Sequence, residues 1–407
     1  MRHYLPAIII LLVSCCAPKE PMSELTDRVF ALAKTQYTAL DARVPDDRMA
    51  YSFENGKPKD SKISWWTSGF FPGTLWYIYE YTGDDAIRAI SEKQNAKLDG
   101  IIEEKTHHDI GFQVNCSFGN KYRLTGDPAS LEMMKLAAAK LCTRFNPVVG
   151  CTRSWDPGKK WNYPVIIDNM MNLELLMAAS RLTGDDSFAQ VARTHANTTM
   201  KNHFRPDASS YHVVAYDEET GAVIKKQTHQ GFCDASAWSR GQAWGLYGFT
   251  MMYRETKDPA YLEQARKIAA FILPLLPKDG VPEWDFNAPG TRHAMDMSAE
   301  GAPDAEVFGW KEGDPVPRDA SAGAIIASAL IELSGFTSGR ESRRYCNTAE
   351  KILRTLASPE YLAPEGENGN FLLMHGAANL PAWDGVDIPL NYADYYFLEA
   401  LLKYSKI

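Results

Sequence analysis

Thr82-Gly83-Asp84, Thr125-Gly126-Asp127 and Thr183-Gly184-Asp185 are one tripeptide written three times. Each closes a segment with apolar residues at i, i+3 and i+4 and opens another, the period of an amphipathic helix. Glycine suits the left-handed position just past a helix end. Aspartate suits the position whose carboxylate caps the next helix. Lys257-Asp258 does the same job without glycine. These turns predict helical hairpins. Working outward from them, twelve helices are expected over about 23–41, 67–82, 85–105, 110–124, 127–144, 168–182, 185–204, 237–255, 258–276, 319–336, 339–358 and 391–406. Strand signals are sparse, and the uneven spacing of the turns excludes a regular solenoid.

Six hairpins suit an all-α closed toroid, an (α/α)6 barrel. The helices starting at 67, 110, 168, 237, 319 and 391 are rich in small and aromatic residues, such as Gly241, Ala243 and Gly245, or Ala320, Ala322 and Gly323. Such helices pack on all sides and are expected inside, whereas 258–276 and 339–358 carry a charged face and are expected outside. The long loops, 145–167, 205–236, 277–318 and 359–390, fall at the ends opposite the tripeptide turns. The starts of the inner helices and these loops therefore share one mouth, where function is expected. No Pro/Ser/Gly-rich linker divides the chain, so residues 21–407 are expected to form one catalytic domain.

The 407 residues are 45% hydrophobic and 23% charged, with a net charge of −8 and no long Lys/Arg run. That balance speaks against a nucleic-acid partner. Arg2 and His3 precede an apolar run, Tyr4 to Val13, that is too short to span a membrane. Leu12-Val13-Ser14-Cys15 resembles a bacterial lipobox. Residues 1–20 are therefore expected to be a lipoprotein signal peptide and tether. The processed Cys15 would carry a lipid, the only membrane contact, and place the protein in the periplasm or on a membrane. Cys116, Cys142, Cys151, Cys233 and Cys346 form no CxxC, and no HExxH occurs, so neither a metal nor a cofactor is expected.

At the mouth stand Trp65-Trp66, His107-His108-Asp109, Asp168-Asn169, Trp238 to Trp244, Arg318-Asp319 and Asn391 to Tyr396. Each has an ordinary structural role: a helix-start Asp caps, an inner Trp packs, a lone His such as His212 or His229 sits in a loop or the core. The coincidence at one end of six helices points further. Aromatic rings stack on sugar faces, and carboxylates bond hydroxyls or move protons.

His107-His108-Asp109-Ile110-Gly111-Phe112, Trp155 to Trp161, Ile167 to Asn172, Thr228-His229-Gln230-Gly231, Ser239 to Trp244 and Tyr392 to Leu401 together resemble the unsaturated glucuronyl hydrolases, glycoside hydrolase family 88. The motifs run in order from about residue 25 to the C-terminus. The resemblance implies an (α/α)6 barrel acting on products of polysaccharide lyases, glycosaminoglycan oligosaccharides that begin with a 4,5-unsaturated uronic acid. The reaction it implies is protonation of C4 and addition of water at C5, after which the hemiketal opens and the sugar is released. The carboxylate spacing rule for ordinary glycosidases does not transfer to it.

By the same resemblance Asp168 matches the general acid/base and Asp109 the second essential carboxylate. His212 and Gln230 match positions contacting substrate and water. His108, His229, Arg240 and Trp244 match further active-site positions, and Trp66 and Trp155 match rings that stack on the sugar. Chemistry separately nominates Arg240 for the uronate carboxylate, which a guanidinium fork fits. A proton donor to carbon needs a raised pKa; burial and a neighbouring carboxylate raise it, and a helix N-terminus lowers it. One segment departs from the family: Trp383 to Asn391 lacks the serines with which some members receive a sulfate, and carries Asp384 and Asp387 instead. Alternatives are an unsaturated rhamnogalacturonyl hydrolase acting on pectin fragments, a toroid sugar epimerase, against which the export signal speaks, and a non-catalytic glycan-binding lipoprotein.

Overall fold

All three members of the repeated tripeptide have a structural job. After α2 (Phe70–Thr82) the chain turns through Gly83 at φ 64° into α3 (Asp85–Ala96). The Thr82 hydroxyl donates to the Ile78 carbonyl and accepts from the Asp84 amide, whose carboxylate accepts from the Ala86 amide. Gly126 and Gly184 repeat the left-handed turn at φ 70° and 79°, and Lys257 adopts it at φ 58°. Asp127, Asp185 and Asp258 cap the helices that follow. A threonine completes the fourth turn as well, since Thr256 accepts from the Asp258 amide.

The structure is a computed structural model and describes residues 19–296, 298, 302 and 315–407. The expected signal segment and Cys15 lie outside the described residues. Twelve helical segments are present among the described residues, if α4 (Ile110–Val114), a π turn (Asn115–Gly119) and α5 (Asn120–Thr125) are taken as one. The others are α1 (Met22–Arg43), α6 (Pro128–Cys142), α7 (Asn169–Thr183), α8 (Asp186–Asn202), α9 (Ser239–Thr256), α10 (Pro259–Leu275), α11 (Ala320–Gly335), α12 (Gly339–Leu356) and α13 (Asn391–Tyr404). Helix α2 packs on the α4–α5 segment, then α4 on α7, α7 on α9, α9 on α11, α11 on α13, and α13 back on α2. That closed ring is the (α/α)6 barrel expected from the sequence. Helices α1, α3, α6, α8, α10 and α12 pack outside it. Burial follows the division: α11 is buried along almost its whole length, whereas α12 buries only Tyr345, Ala349, Ile352, Leu353 and Leu356.

Two expectations need correction. The helix expected to reach residue 105 stops at Ala96. Beyond it, three-residue turns such as Ile101 N–H to Leu98 carbonyl bury Leu98 and Ile101. An apolar spacing of three fits such turns as well as a helix. Strands are also more numerous than expected, although each is short. They are β1 (Met49–Glu54), β2 (Lys57–Ser61), β3 (Phe145–Asn146), β4 (Cys151–Thr152), β5 (Tyr163–Ile166), β6 (Val213–Tyr216), β7 (Val223–Gln227), β8 (Gly376–Asn379) and β9 (Asp384–Ile388). Four-residue apolar runs such as Tyr163 to Ile166 carry too little period to be told from helix. They brace the loops at the mouth: β5, β6 and β7 form one antiparallel sheet, and β8 pairs with β9.

Candidate active site

The two aspartates nominated by the sequence stand where a cap would stand, and neither caps. Asp109 precedes α4 and Asp168 precedes α7, yet neither side chain accepts from the amides of its helix. They are brought together by close packing at Gly111, where a Cβ would lie 2.7 Å from the Asn172 Cα. With no side chain there, the Phe112 amide reaches Asn172 Oδ1 at 2.8 Å, joining the first turns of α4 and α7. The sheet that sequence analysis missed then delivers a third group. Ile166 pairs with Val213, and the Ile167 amide donates to the His212 carbonyl at 3.0 Å. That register carries His212 to Asp168, with 3.7 Å between Nε2 and Oδ2.

The tautomer of His212 follows from its other nitrogen. Nδ1 accepts from the amides of His229 and Gln230, both at 3.1 Å, so the neutral ring carries its proton on Nε2, toward Asp168. Burial holds His212 well below the ordinary histidine pKa, so it remains neutral. His108 is buried likewise and lowered to about 4. Its Nε2 lies 3.1 Å from Asp109 Oδ2, and His107 Nδ1 lies 3.2 Å from the same oxygen.

The carboxyls are pushed apart. Burial, then the charge of Asp109, raises Asp168 to about 7, against weaker opposition from Arg240 and the Trp244 indole N–H. Burial also acts to raise Asp109, but the His108 and His107 imidazoles outweigh it and hold the carboxyl below its usual range. The balance left open by the sequence is thus decided by desolvation over the helix end: Asp168 retains a proton in a substantial fraction of molecules near neutrality while Asp109 is ionised. Asp168 Oδ2, His212 Nε2, Trp244 Nε1 and the Tyr392 hydroxyl are buried and make no hydrogen bond of ordinary geometry with the described residues.

Two aromatic walls flank these groups. Trp66, Phe112 and Trp244 are in ring contact, at 5.7 and 5.4 Å, and Tyr392 lies 5.0 Å from Trp66. Opposite in chemistry, Trp155, Trp161 and His229 form an accessible cluster, with His229 5.2 Å from Trp155 and 5.8 Å from Trp161. Trp66 and Trp155 are half-buried and present ring surface, whereas Trp244 is wholly buried. Gln230 is tied by its side-chain amide to the Ala378 carbonyl at 2.9 Å.

Arg240 does not stand as the sequence suggested. It is 1% exposed; Nη1 binds Asp319 Oδ2 at 2.6 Å and the Ala377 carbonyl, and Nη2 binds the Ala378 carbonyl at 2.6 Å. Both ends of the fork expected to meet a substrate carboxylate thus already have protein partners, and the guanidinium instead lies 4.6 Å over the Trp238 ring. Sequence reasoning passed over His107, Trp161, Tyr392, Asp319 and the 377–378 carbonyls as site groups. The four side chains lie inside stretches already singled out, and the first three were legible there. Asp319 reads as a plain cap, and a backbone carbonyl has no sequence signal. Among the described residues no cluster of three or more His, Cys, Asp or Glu is arranged to hold a metal, and no helix is long and apolar enough to cross a membrane.

A closed helical toroid with two inequivalent carboxylates and aromatic walls at one mouth suits a carbohydrate ligand, whose rings stack on aromatics and whose hydroxyls bond carboxylates. The profile of glycosyl hydrolase family 88 matches residues 42–280, and the chain belongs to that family of enzymes. It is 45% identical over 342 residues to an unsaturated glucuronyl hydrolase of Formosa agariphila, covering 83% of this chain and 79% of that protein. It is 35% identical to an unsaturated chondroitin disaccharide hydrolase of Streptococcus pyogenes, over 84% of this chain and 81% of that one. Its fold matches the crystal structure of an unsaturated glucuronyl hydrolase specific for heparin, with a TM-score of 0.86 at 44% identity, covering 94% of this chain and 98% of that one.

Proposed function

We propose that the protein releases a 4,5-unsaturated uronic acid from the non-reducing end of glycosaminoglycan oligosaccharides left by polysaccharide lyases. The observation that carries this reading is the pair of carboxyls pushed in opposite directions, Asp168 up to about 7 and Asp109 down. In the proposed reaction the Asp168 carboxyl gives its proton to C4 of the enol ether, and positive charge develops on C5 and the ring oxygen. Asp109, ionised nearby, stabilises that charge. Water adds at C5 and returns a proton to Asp168. The hemiketal then opens to a ketone at C5, and the hemiacetal left at C1 expels the rest of the oligosaccharide as an alcohol. In this reading His212 Nε2–H and Gln230 orient the water or the substrate, and Trp66 and Trp155 stack on sugar. His229 belongs to the accessible rim, while Trp244, His108 and Arg240 act from beneath the surface on the two carboxylates.

Relatives named for glucuronyl, chondroitin and heparin substrates support the substrate class and leave the second sugar open. The test is optical. Unsaturated disaccharides from chondroitin, hyaluronan, heparin and rhamnogalacturonan are incubated with the protein, and loss of the ultraviolet absorbance of the conjugated double bond is followed. The expected result is turnover of a glycosaminoglycan disaccharide and a fall on the order of 10³-fold or more in Asp168→Asn. An unchanged rate in that variant sinks the assignment of Asp168. Turnover of the rhamnogalacturonan product alone moves the substrate to pectin, and saturable binding without turnover makes the protein a glycan-binding one.

A further inference from the structure

Asp319 uses its two carboxylate oxygens for different purposes. Oδ1 caps α11, accepting from the Ser321 amide at 3.0 Å, from the Ser321 hydroxyl and from the Ala322 amide at 3.4 Å. Oδ2 takes Arg240 Nη1 at 2.6 Å, in a pair whose side chains are 0% and 1% exposed. Arg240 reaches on to the Ala377 and Ala378 carbonyls of β8. The Ala378 carbonyl accepts a second hydrogen bond, from Gln230 Nε2. Gln230 is also the residue whose backbone amide helps fix the tautomer of His212. A continuous set of contacts therefore runs from the start of α11, through Arg240 and β8, to a polar side chain at the mouth.

We propose that Asp319 is a positioning residue for the reaction: it holds Arg240 against the 377–378 carbonyls and thereby fixes the Gln230 amide beside the reacting groups. This rests on the reading of Asp168, His212 and Gln230 as parts of the active site. The physical reason is charge. A buried guanidinium held by two carbonyls alone keeps an uncompensated cation, which the protein environment tolerates poorly. Arg240 is faced by Asp319, Asp168 and the rings of Trp238 and Tyr392. Without the Asp319 charge the strongest carboxylate attraction left to it among the described residues is Asp168, so it would turn from β8 toward the proton donor and release the Ala378 carbonyl. Asp168 itself is faced by Asp109, His212, Arg240 and the Trp244 N–H. A drift of Arg240 toward it therefore favours its ionised form.

Asp319→Asn separates the two jobs, because the remaining Oδ1 still caps α11 while the new amide offers Arg240 an N–H in place of an acceptor. The expected result is a folded protein whose kcat falls on the order of 100-fold with KM little changed. The alkaline limb of its pH profile moves to lower pH, and Asp319→Glu recovers part of the rate. The double variant with Gln230→Ala is expected to be no slower than the slower single variant, since both act through one contact. Fully additive losses would overturn the proposal. A ligand-free crystal structure of Asp319→Asn gives a readout free of activity: Gln230 Nε2 is expected to leave the Ala378 carbonyl, and its retention there would also overturn the proposal. If wild-type protein turns over no unsaturated uronide, the proposed function fails while this structural outcome still reports on Asp319. Should Asp319→Asn not fold, Arg240→Lys keeps the charge without the fork and is expected to show the same non-additivity with Gln230→Ala; additivity there overturns the proposal.

Discussion

The two ends of the ring place aspartate at the same helical position and obtain opposite chemistry from it. At the turn end Asp84, Asp127, Asp185 and Asp258 each accept from the first amides of a helix. Hydrogen bonds from Ser130, and the Lys121 ammonium, hold Asp127 below its usual range despite partial burial. At the mouth Asp109 and Asp168 sit at helix starts but leave those amides alone, and the charge of Asp109 acts on the buried Asp168. Asp319 belongs to both kinds, since one oxygen caps and the other holds Arg240. Hydrogen bonds from helix amides favour the ionised carboxylate; without them burial raises Asp168, while His108 and His107 still hold Asp109 down. The missing cap is common to both, and what separates them is the neighbourhood: imidazoles beside Asp109, burial and a like charge around Asp168.

That contrast can be broken from either end. The largest expected effect is Asp109→Asn. It removes the like charge facing Asp168 and leaves burial as the main cause of the raised pKa. On the proposed mechanism the alkaline limb of the pH–rate profile depends on protonated Asp168, so the wild type is expected to lose rate as pH rises through about 7. In the variant the limb should move to lower pH, with residual activity reduced on the order of 10²-fold or more. A limb that stays in place would show that burial alone sets Asp168.

At the turn end, Asp127→Ala should destabilise the protein by about 1 kcal/mol in urea denaturation and leave kcat/KM unchanged. A comparable loss of activity would mean that the two ends are coupled. The smallest expected effect concerns Lys257, which holds the left-handed turn at φ 58° where the other three turns have glycine. Lys257→Gly relieves roughly 1 kcal/mol of backbone cost. It gives up roughly 0.5 kcal/mol of cation–π contact with Tyr253 and Phe336. A small net rise in Tm is expected, and a fall would show that the ring contacts outweigh the turn.

Much of the fold was legible because its signals are local. Helix starts and ends fall within a few residues of expectation at most of the twelve segments, since capping and i, i+4 patterning act within one or two turns. The long stretch after residue 85 misled because turns of three residues bury Leu98 and Ile101 with helix-like spacing. The strands escaped because two to six residues carry little period. Asp109 and Asp168 could be nominated by their place at the mouth and by family resemblance. Arg240 was nominated for its chemistry and turned out to be a buried partner of Asp319. Nothing in its neighbours in sequence announces a carboxylate 79 residues away.

The sequence by itself determined a ring of helical hairpins and which end gathers the unbonded aspartates and aromatic rings, because the Thr-Gly-Asp turns and the aromatic helix starts are each complete within a few residues. The tertiary structure decided which aspartate is pushed up and which is held down, and which way His212 carries its proton. Those properties depend on desolvation and on groups that meet only when α4, α7 and β6 close on one another, and a field summed over distant residues is not written at any one position.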